Sequence, residues 1–156
     1  MANKETKRLG NKGFSLVELI VVIAIMAVLV GVLAPQFIRY VEKSRQSGDV
    51  TSIQSIMTAV ETSASEEGSI TANVTITVNG SSATVAGGTA TGATKTISDI
   101  LAESGLTTTT TLKSSGWQST TLTYNVTTYK WEITGTTTNN KKPNTDLKTL
   151  VQTTGN

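Results

Sequence analysis

The chain has 156 residues, 15% of them charged and 37% hydrophobic, which allows one domain besides any anchor. Its formal charge of +2 is a property of its start: Lys4, Lys7, Arg8 and Lys12 against Glu5 give +3 there and leave −1 for the rest, so no concentrated basic face marks a nucleic-acid partner. It contains no cysteine, which excludes disulfides and thiolate chemistry, and no histidine, which removes the commonest general base and metal ligand.

Met1–Gly13 is a basic leader. Behind it, from Phe14 to Ala34, only Ser15 and Glu18 are polar, and Leu19–Ala34 reads LIVVIAIMAVLVGVLA. A bilayer takes roughly 20 apolar residues, so the run is long enough to cross one. A carboxylate in a spanning segment costs roughly 2.5–3.5 kcal/mol at mid-membrane and less near an interface. Glu18 is therefore a functional candidate that needs a partner. The order of parts inverts a secretory signal, whose small-residue cleavage site follows the apolar region. Here the small residue at the junction is Gly13, and Val32-Leu33-Ala34 before Pro35 makes a poor site.

Lys12-Gly13-Phe14-Ser15-Leu16-Val17-Glu18-Leu19-Ile20 resembles the class III signal of type IV pilins and of their relatives, the pseudopilins of type II secretion. The resemblance is specific over about Lys12–Arg45 and architectural beyond it. It implies a type IV pilin fold and cleavage between Gly13 and Phe14 by a membrane prepilin peptidase, with methylation of the new amino terminus at Phe14. The family's assembly glutamate falls on Glu18 and its helix-interrupting proline on Pro35. Many Gram-negative pilins close a C-terminal loop with a disulfide; a chain without cysteine departs from them and points to a Gram-positive, clostridial-like source.

The residues supply a mechanism for Glu18. After cleavage the chain begins with a positive amine one helical turn from this carboxylate. Within one subunit the two can neutralise one another; in a filament core, Glu18 can instead meet the amine of a neighbour. Pairing is what makes a buried charge tolerable.

From Phe14 to about Ser65 the chain reads as one helix, with an all-round apolar first part fitted to a membrane or bundle core. Pro35 removes a backbone hydrogen bond and crowds the preceding turn, so Gly31–Pro35 is the expected kink or melting point. Arg39, Glu42, Lys43, Arg45 and Asp49 form a polar segment near the membrane surface, where Lys43 and Arg45 face lipid head groups, an acidic neighbour or plain solvent. Ile53, Ile56, Met57, Val60 and Ala64 recur at helical spacing and predict packing on a sheet. Gly68, after Glu66-Glu67, is the expected stop. The helix then spans about 75 Å at 1.5 Å per residue, and its apolar half must sit in membrane or among other subunits.

The rest is Thr-, Ser- and Gly-rich. Val74, Ile76 and Val78 alternate into Asn79-Gly80, a hairpin signal, with Ala83–Val85 returning. Gly87-Gly88 opens a loop that runs to Thr94. Thr96-Ile97-Ser98-Asp99 resembles a capping box opening a short helix that ends at Gly105. Thr107–Leu112 is a candidate strand. Leu122, Tyr124 and Val126, then Tyr129, Trp131 and Ile133, predict two antiparallel strands, followed by a loop over Thr136–Asn144. Asp146–Gln152 fits a short strand or a short helix equally well. The Thr tracts read as exposed strand faces, and Trp117 and Trp131 as core or rim packing. The Asn-X-Ser/Thr matches at Asn73, Asn79 and Asn125 are read as chance in a Thr-rich chain. No acidic run has calcium-ligand spacing, and no catalytic constellation or cofactor motif is present.

The expected fold is α+β: a long N-terminal helix, half apolar and half amphipathic, packed on a small antiparallel β-sheet. The expected divisions are a leader over 1–13, a transmembrane and assembly helix over 14–40, and a globular head over 41–156. Three functions compete. The first is a structural subunit, a major pilin, of a type IV pilus for adhesion, surface motility or biofilm formation. The second is a pseudopilin of a type II secretion or DNA-uptake system. The third is an anchored surface domain that never polymerises and leaves Gly13 and Glu18 as accidents. None is an enzyme. The first implies other copies of itself, the prepilin peptidase, the assembly machinery and, before assembly, membrane lipid as partners. It also implies a single-pass cytoplasmic-membrane location followed by an extracellular filament.

Overall fold

The computed structural model describes residues 13–66, 69–89, 95–141 and 146–148. The expected stop at Gly68, the leader before Gly13, most of the loop before Thr94 and residues 149–152 lie outside them. The chain divides into two units, Met1–Phe37 and Ile38–Asn156.

The element order is α1 (Leu16–Ala64), β1 (Val74–Gly80), β2 (Ser82–Gly87), α2 (Ile97–Glu103), β3 (Thr109–Thr111), β4 (Trp117–Asn125) and β5 (Lys130–Gly135). The predicted long helix is present, at 49 residues, and stays helical through Gly31 and Pro35. Pro35 has no N–H to give the carbonyl four residues back, which is Gly31's, so that turn is one hydrogen bond short.

Within the second unit the strands form one antiparallel sheet in the order β3-β2-β1-β4-β5. Register puts the apolar positions on one face. Ile76 sits opposite Val85 on one side and Leu122 on the other, and Val74 sits opposite Tyr124. All five are buried, and Val50, Ile53, Ile56, Met57 and Val60 of α1 join them in one core. The alternate positions Thr75, Thr77, Thr84, Thr121 and Thr123 turn away, as the period of two requires. The strand-forming threonines thus cover the outer face.

Two local features differ from expectation. Asn79 pairs with Ser82, so the β1–β2 turn is Gly80-Ser81 rather than Asn79-Gly80. Gly80, at φ 59°, takes the first turn position, where only a residue without Cβ is comfortable. Val126 lies beyond β4, because Asn125 starts the next turn: its side-chain oxygen accepts from the N–H groups of Thr127 and Thr128.

The predicted capping box of α2 is complete. Thr96 Oγ1 accepts from Asp99 N–H, and the Asp99 carboxylate accepts from Thr96 N–H at 2.9 Å. Asp99 is held below its ordinary carboxyl pKa first by the Thr96 hydroxyl, which donates to its carboxylate at 2.6 Å, and then by the Thr96 N–H. The helix ends in a Schellman arrangement, with Leu106 N–H on Leu101 O, Gly105 N–H on Ala102 O, and Gly105 at φ 69°.

Candidate functional site

The first candidate site is the start of α1. Phe14 is 91% exposed, and nothing lies within 4 Å of a Cβ built on Gly13, so the junction between them is open. Ser15 precedes the first helical residue, and its N–H donates to Glu18 Oε2 at 2.9 Å. Ser15-Leu16-Val17-Glu18 thus contributes the reciprocal half of a capping box, with a carboxylate folded back over the positive end of the helix. Glu18 therefore points towards the chain start, where a new amine would lie after cleavage at Gly13. From Phe14 to Tyr40 every residue is exposed. The stretch of α1 apolar enough to cross a membrane has none of its residues buried.

The second constellation lies in the head, and sequence reasoning missed it. Arg39, Lys43 and Arg45 are exposed as expected, but Glu42 and Asp49, read with them as one polar surface segment, are buried, and so is Gln46. The reason is helical phase: 42, 46 and 49 continue the core stripe of 53, 56 and 60 backwards by one face. That periodicity was the available signal, hidden because the residues are polar.

Their burial is matched by partners. Asp49 accepts from Lys113 N–H at 2.6 Å, Ser114 N–H at 2.9 Å and the Trp117 indole N–H at 2.9 Å. Glu42 Oε1 accepts from Ser114 Oγ and from Gln46 Nε2. The Asn139 amide donates to Ser114 Oγ at 2.9 Å, and Gln46 Nε2 donates to Lys141 O at 2.9 Å. Among the described residues no buried side-chain nitrogen or oxygen is left without a partner. The cluster fastens the β3–β4 connection and the segment after β5 to α1. It does with hydrogen bonds what a disulfide does elsewhere, and Asp146 and Leu147 extend the same fastening: Asp146 bridges to Thr138, and Leu147 is fully buried.

Chemically, neither constellation resembles a catalytic centre. Among the described residues no group of three or more His, Cys, Asp or Glu could hold a metal. What the first offers is an exposed apolar rod with a carboxylate at its head, a surface for lipid or for other rods.

Comparison with known proteins bears on the rod. Residues 8–34 match the prokaryotic N-terminal methylation motif, and the match takes in Gly13, Phe14, Glu18 and Gly31, with Pro35 the next residue beyond it. That motif runs into the first part of a long helix whose second part packs on an antiparallel sheet, an α+β fold like that of type IV pilins. A particular relative is the type IV major pilin protein PilA of Myxococcus xanthus (strain DK1622), 37% identical over 57 residues, a stretch covering 36% of this chain. The chain spans about a quarter of that relative's length, 26%. No solved structure matches the chain.

Proposed function

We propose that the chain is a structural subunit, a major pilin, of a type IV pilus. The observation that carries this is the stretch from Leu16 to Ala34: apolar but for Glu18 at its head, helical and unburied. Apolar surface of that extent is not stable in water, so it is covered by lipid before assembly and by the same stretch of other copies afterwards. The similarity to a major pilin supports a pilus over a secretion pseudopilin.

In this reading a prepilin peptidase removes 1–13 and Phe14 becomes the methylated amino terminus. Residues 14–40 are the membrane and assembly helix, and 41–156 the head. Membrane-bound assembly machinery adds subunits one by one to a filament outside the cell. Each addition is a heterologous contact that does not close, which makes an open helix. Glu18 sets the axial step, because a displaced subunit leaves both a carboxylate and an amine unpaired in an apolar setting. Gly31 and Pro35, already one hydrogen bond short, are where the helix melts on assembly. The role is structural, and adhesion, surface motility or biofilm formation follow from the filament.

Mass spectrometry of subunits sheared from cells tests this. The expected mass is that of a chain starting at methylated Phe14. Fibres lacking this chain, or a mature chain that keeps Met1–Gly13 or begins after Ala34, overturn the reading.

A further inference from the structure

The sheet ends in two edge strands, β3 and β5, and an edge offers unpaired N–H and C=O groups to any strand that reaches it. β5 is guarded. Lys130 and Glu132 stand exposed along it, and just past its end the Thr137 carbonyl already takes the Leu147 N–H at 2.8 Å. β3 has none of this. It lies inside Leu106-Thr107-Thr108-Thr109-Thr110-Thr111-Leu112, a run without charge, proline or glycine and rich in β-branched residues. Among the described residues its only defence is its length of three residues.

The register shows which of its groups are free. Val85 N–H donates to Thr108 O and Leu112 N–H to Ser81 O, both at 2.8 Å. The hydrogen-bonded pairs of β2 and β3 are therefore Val85 with Thr108, Ala83 with Thr110 and Ser81 with Leu112. Thr110 thus turns its N–H and C=O inward to Ala83, while Thr109 and Thr111 turn theirs outward. Of those four outward groups, Thr109 O alone has a partner among the described residues. It accepts from the Thr107 hydroxyl at 2.7 Å, which leaves it a second lone pair. Thr109 and Thr111 are exposed, and Thr110 is half-buried.

We propose that β3 pairs with β3 of a second copy of the chain, antiparallel and across a twofold axis between the two Thr110 residues. Two outward residues separated by one inward residue are their own complement under such an axis. Thr109 of each copy meets Thr111 of the other, and each of these pairs exchanges two hydrogen bonds. The side chains agree with the backbone. Thr109, Thr84, Thr77, Thr121 and Thr134, one from each strand, lie in a single row across the outer face. Across the axis that row runs on into Thr111 and Ser82 of the second copy, and facing threonines are a favourable cross-strand pair. No charge on either side has to be buried or opposed.

So short a contact is weak between two chains. The axis closes it on itself, so it does not extend a filament, whose subunits meet through unlike surfaces. It joins one filament to another, where many copies act together. That use rests on the pilus reading, whereas the pairing itself is read on isolated chains.

Because the chain contains no cysteine, one introduced thiol reports the contact. Thr110 faces its own copy as a non-hydrogen-bonded pair with Cα atoms about 4.5 Å apart, inside the range of about 4.4–6.8 Å that a disulfide spans. Thr109 lies two residues out of step with its own copy, beyond that range. The full chain, solubilised in detergent, is oxidised with diamide and run on a non-reducing gel. Thr110→Cys gives a covalent dimer that reductant dissolves, and Thr109→Cys gives about a tenth as much or less. Adding Thr109→Lys and Thr111→Lys to Thr110→Cys sets lysines opposite one another and lowers the dimer about tenfold or more. The unfolding midpoint of every variant stays close to the parent's, because the substituted side chains are exposed or, at Thr110, nearly equal in size. No dimer from Thr110→Cys overturns the proposal, and an extended segment of another protein on this edge would give that result. A yield from Thr109→Cys equal to that from Thr110→Cys, as random collision in a micelle would give, overturns it, and so does a yield indifferent to the lysines. Dimer from a chain that forms no fibres leaves the pairing standing and sinks the pilus.

Discussion

Before Pro35, α1 is apolar on every side but for Glu18, and it stays exposed as far as Tyr40; after Val41, almost every apolar residue is buried against the sheet and almost every exposed one is polar. The two stretches follow the same backbone rules and differ in what surrounds them. The second finds its solvent within its own chain, whereas the first has to find it in lipid or in other copies. A helix does not reveal from its hydrogen bonds what it is for, and the distribution of its unburied apolar surface does.

The largest expected effect falls on the first stretch. Glu18→Ala should leave processed subunit in the membrane fraction and remove fibres altogether, read by shearing cells that carry only this variant. Normal fibre numbers would refute the pairing mechanism and leave the head untouched. Removing the stretch outright sharpens the contrast: a chain starting at Arg39 should be a soluble, folded monomer by circular dichroism and sedimentation. An insoluble or disordered product would mean that the second stretch depends on the first.

In the head, Asp49→Ala leaves the N–H groups of Lys113, Ser114 and Trp117 without their acceptor. An unsatisfied buried donor costs about 1–3 kcal/mol, so the loss should be at least about 3 kcal/mol by denaturant unfolding. Asp49→Asn, which keeps one acceptor oxygen, should lose less. Thr96→Ala removes a helix cap and should cost about 1 kcal/mol, seen as faster hydrogen exchange in α2 and little change elsewhere.

The smallest effect concerns pH. Hydrogen bonds to Glu103 first and to Glu66 second raise the Lys95 pKa, and the Lys95 hydrogen bond, then that of Ser69, lowers the Glu66 pKa. A lowered carboxyl contributes above its unfolded value and loses that as pH falls through the folded one. A raised lysine contributes below its unfolded value and loses that as pH rises through the folded one. The tie should therefore hold the protection of α2 amides, relative to their intrinsic exchange at each pH, steady between roughly pH 5 and 10 and loosen it at both ends. Because the groups are exposed, high salt should erase the effect.

Much of this was legible in the residues. The long helix, the alternating strands and the α2 cap rest on periods and short-range chemistry that one sequence carries. Gly13, Phe14 and Glu18 stood out because a charge and a small residue are conspicuous beside LIVVIAIMAVLVGVLA. The polar cluster was not legible: Glu42, Gln46 and Asp49 look like surface residues, and their partners Ser114, Asn139 and Lys141 lie far along the chain. Nor was the positive φ of Tyr129, 55°, which belongs to a turn geometry that no residue type announces.

That distance along the chain has a kinetic meaning. Asp49 is 64 to 68 residues from the groups it binds, Glu42 is 72 from Ser114, and Gln46 is 95 from Lys141. Contacts of such long range form after local ones, because closing a long loop comes before the reward. The helix therefore carries hydrated carboxylates until Lys113–Trp117 arrive, nearly three quarters of the way along the chain, and Asn139 and Lys141 complete the cluster only after that. With no cysteine in the chain no disulfide forms, so the step needs no oxidant. A polypeptide cut short of Asn139 keeps the partners of Asp49 and Glu42 but loses the amide on Ser114 Oγ and the Lys141 carbonyl on Gln46, so its last contacts to this face stay with water.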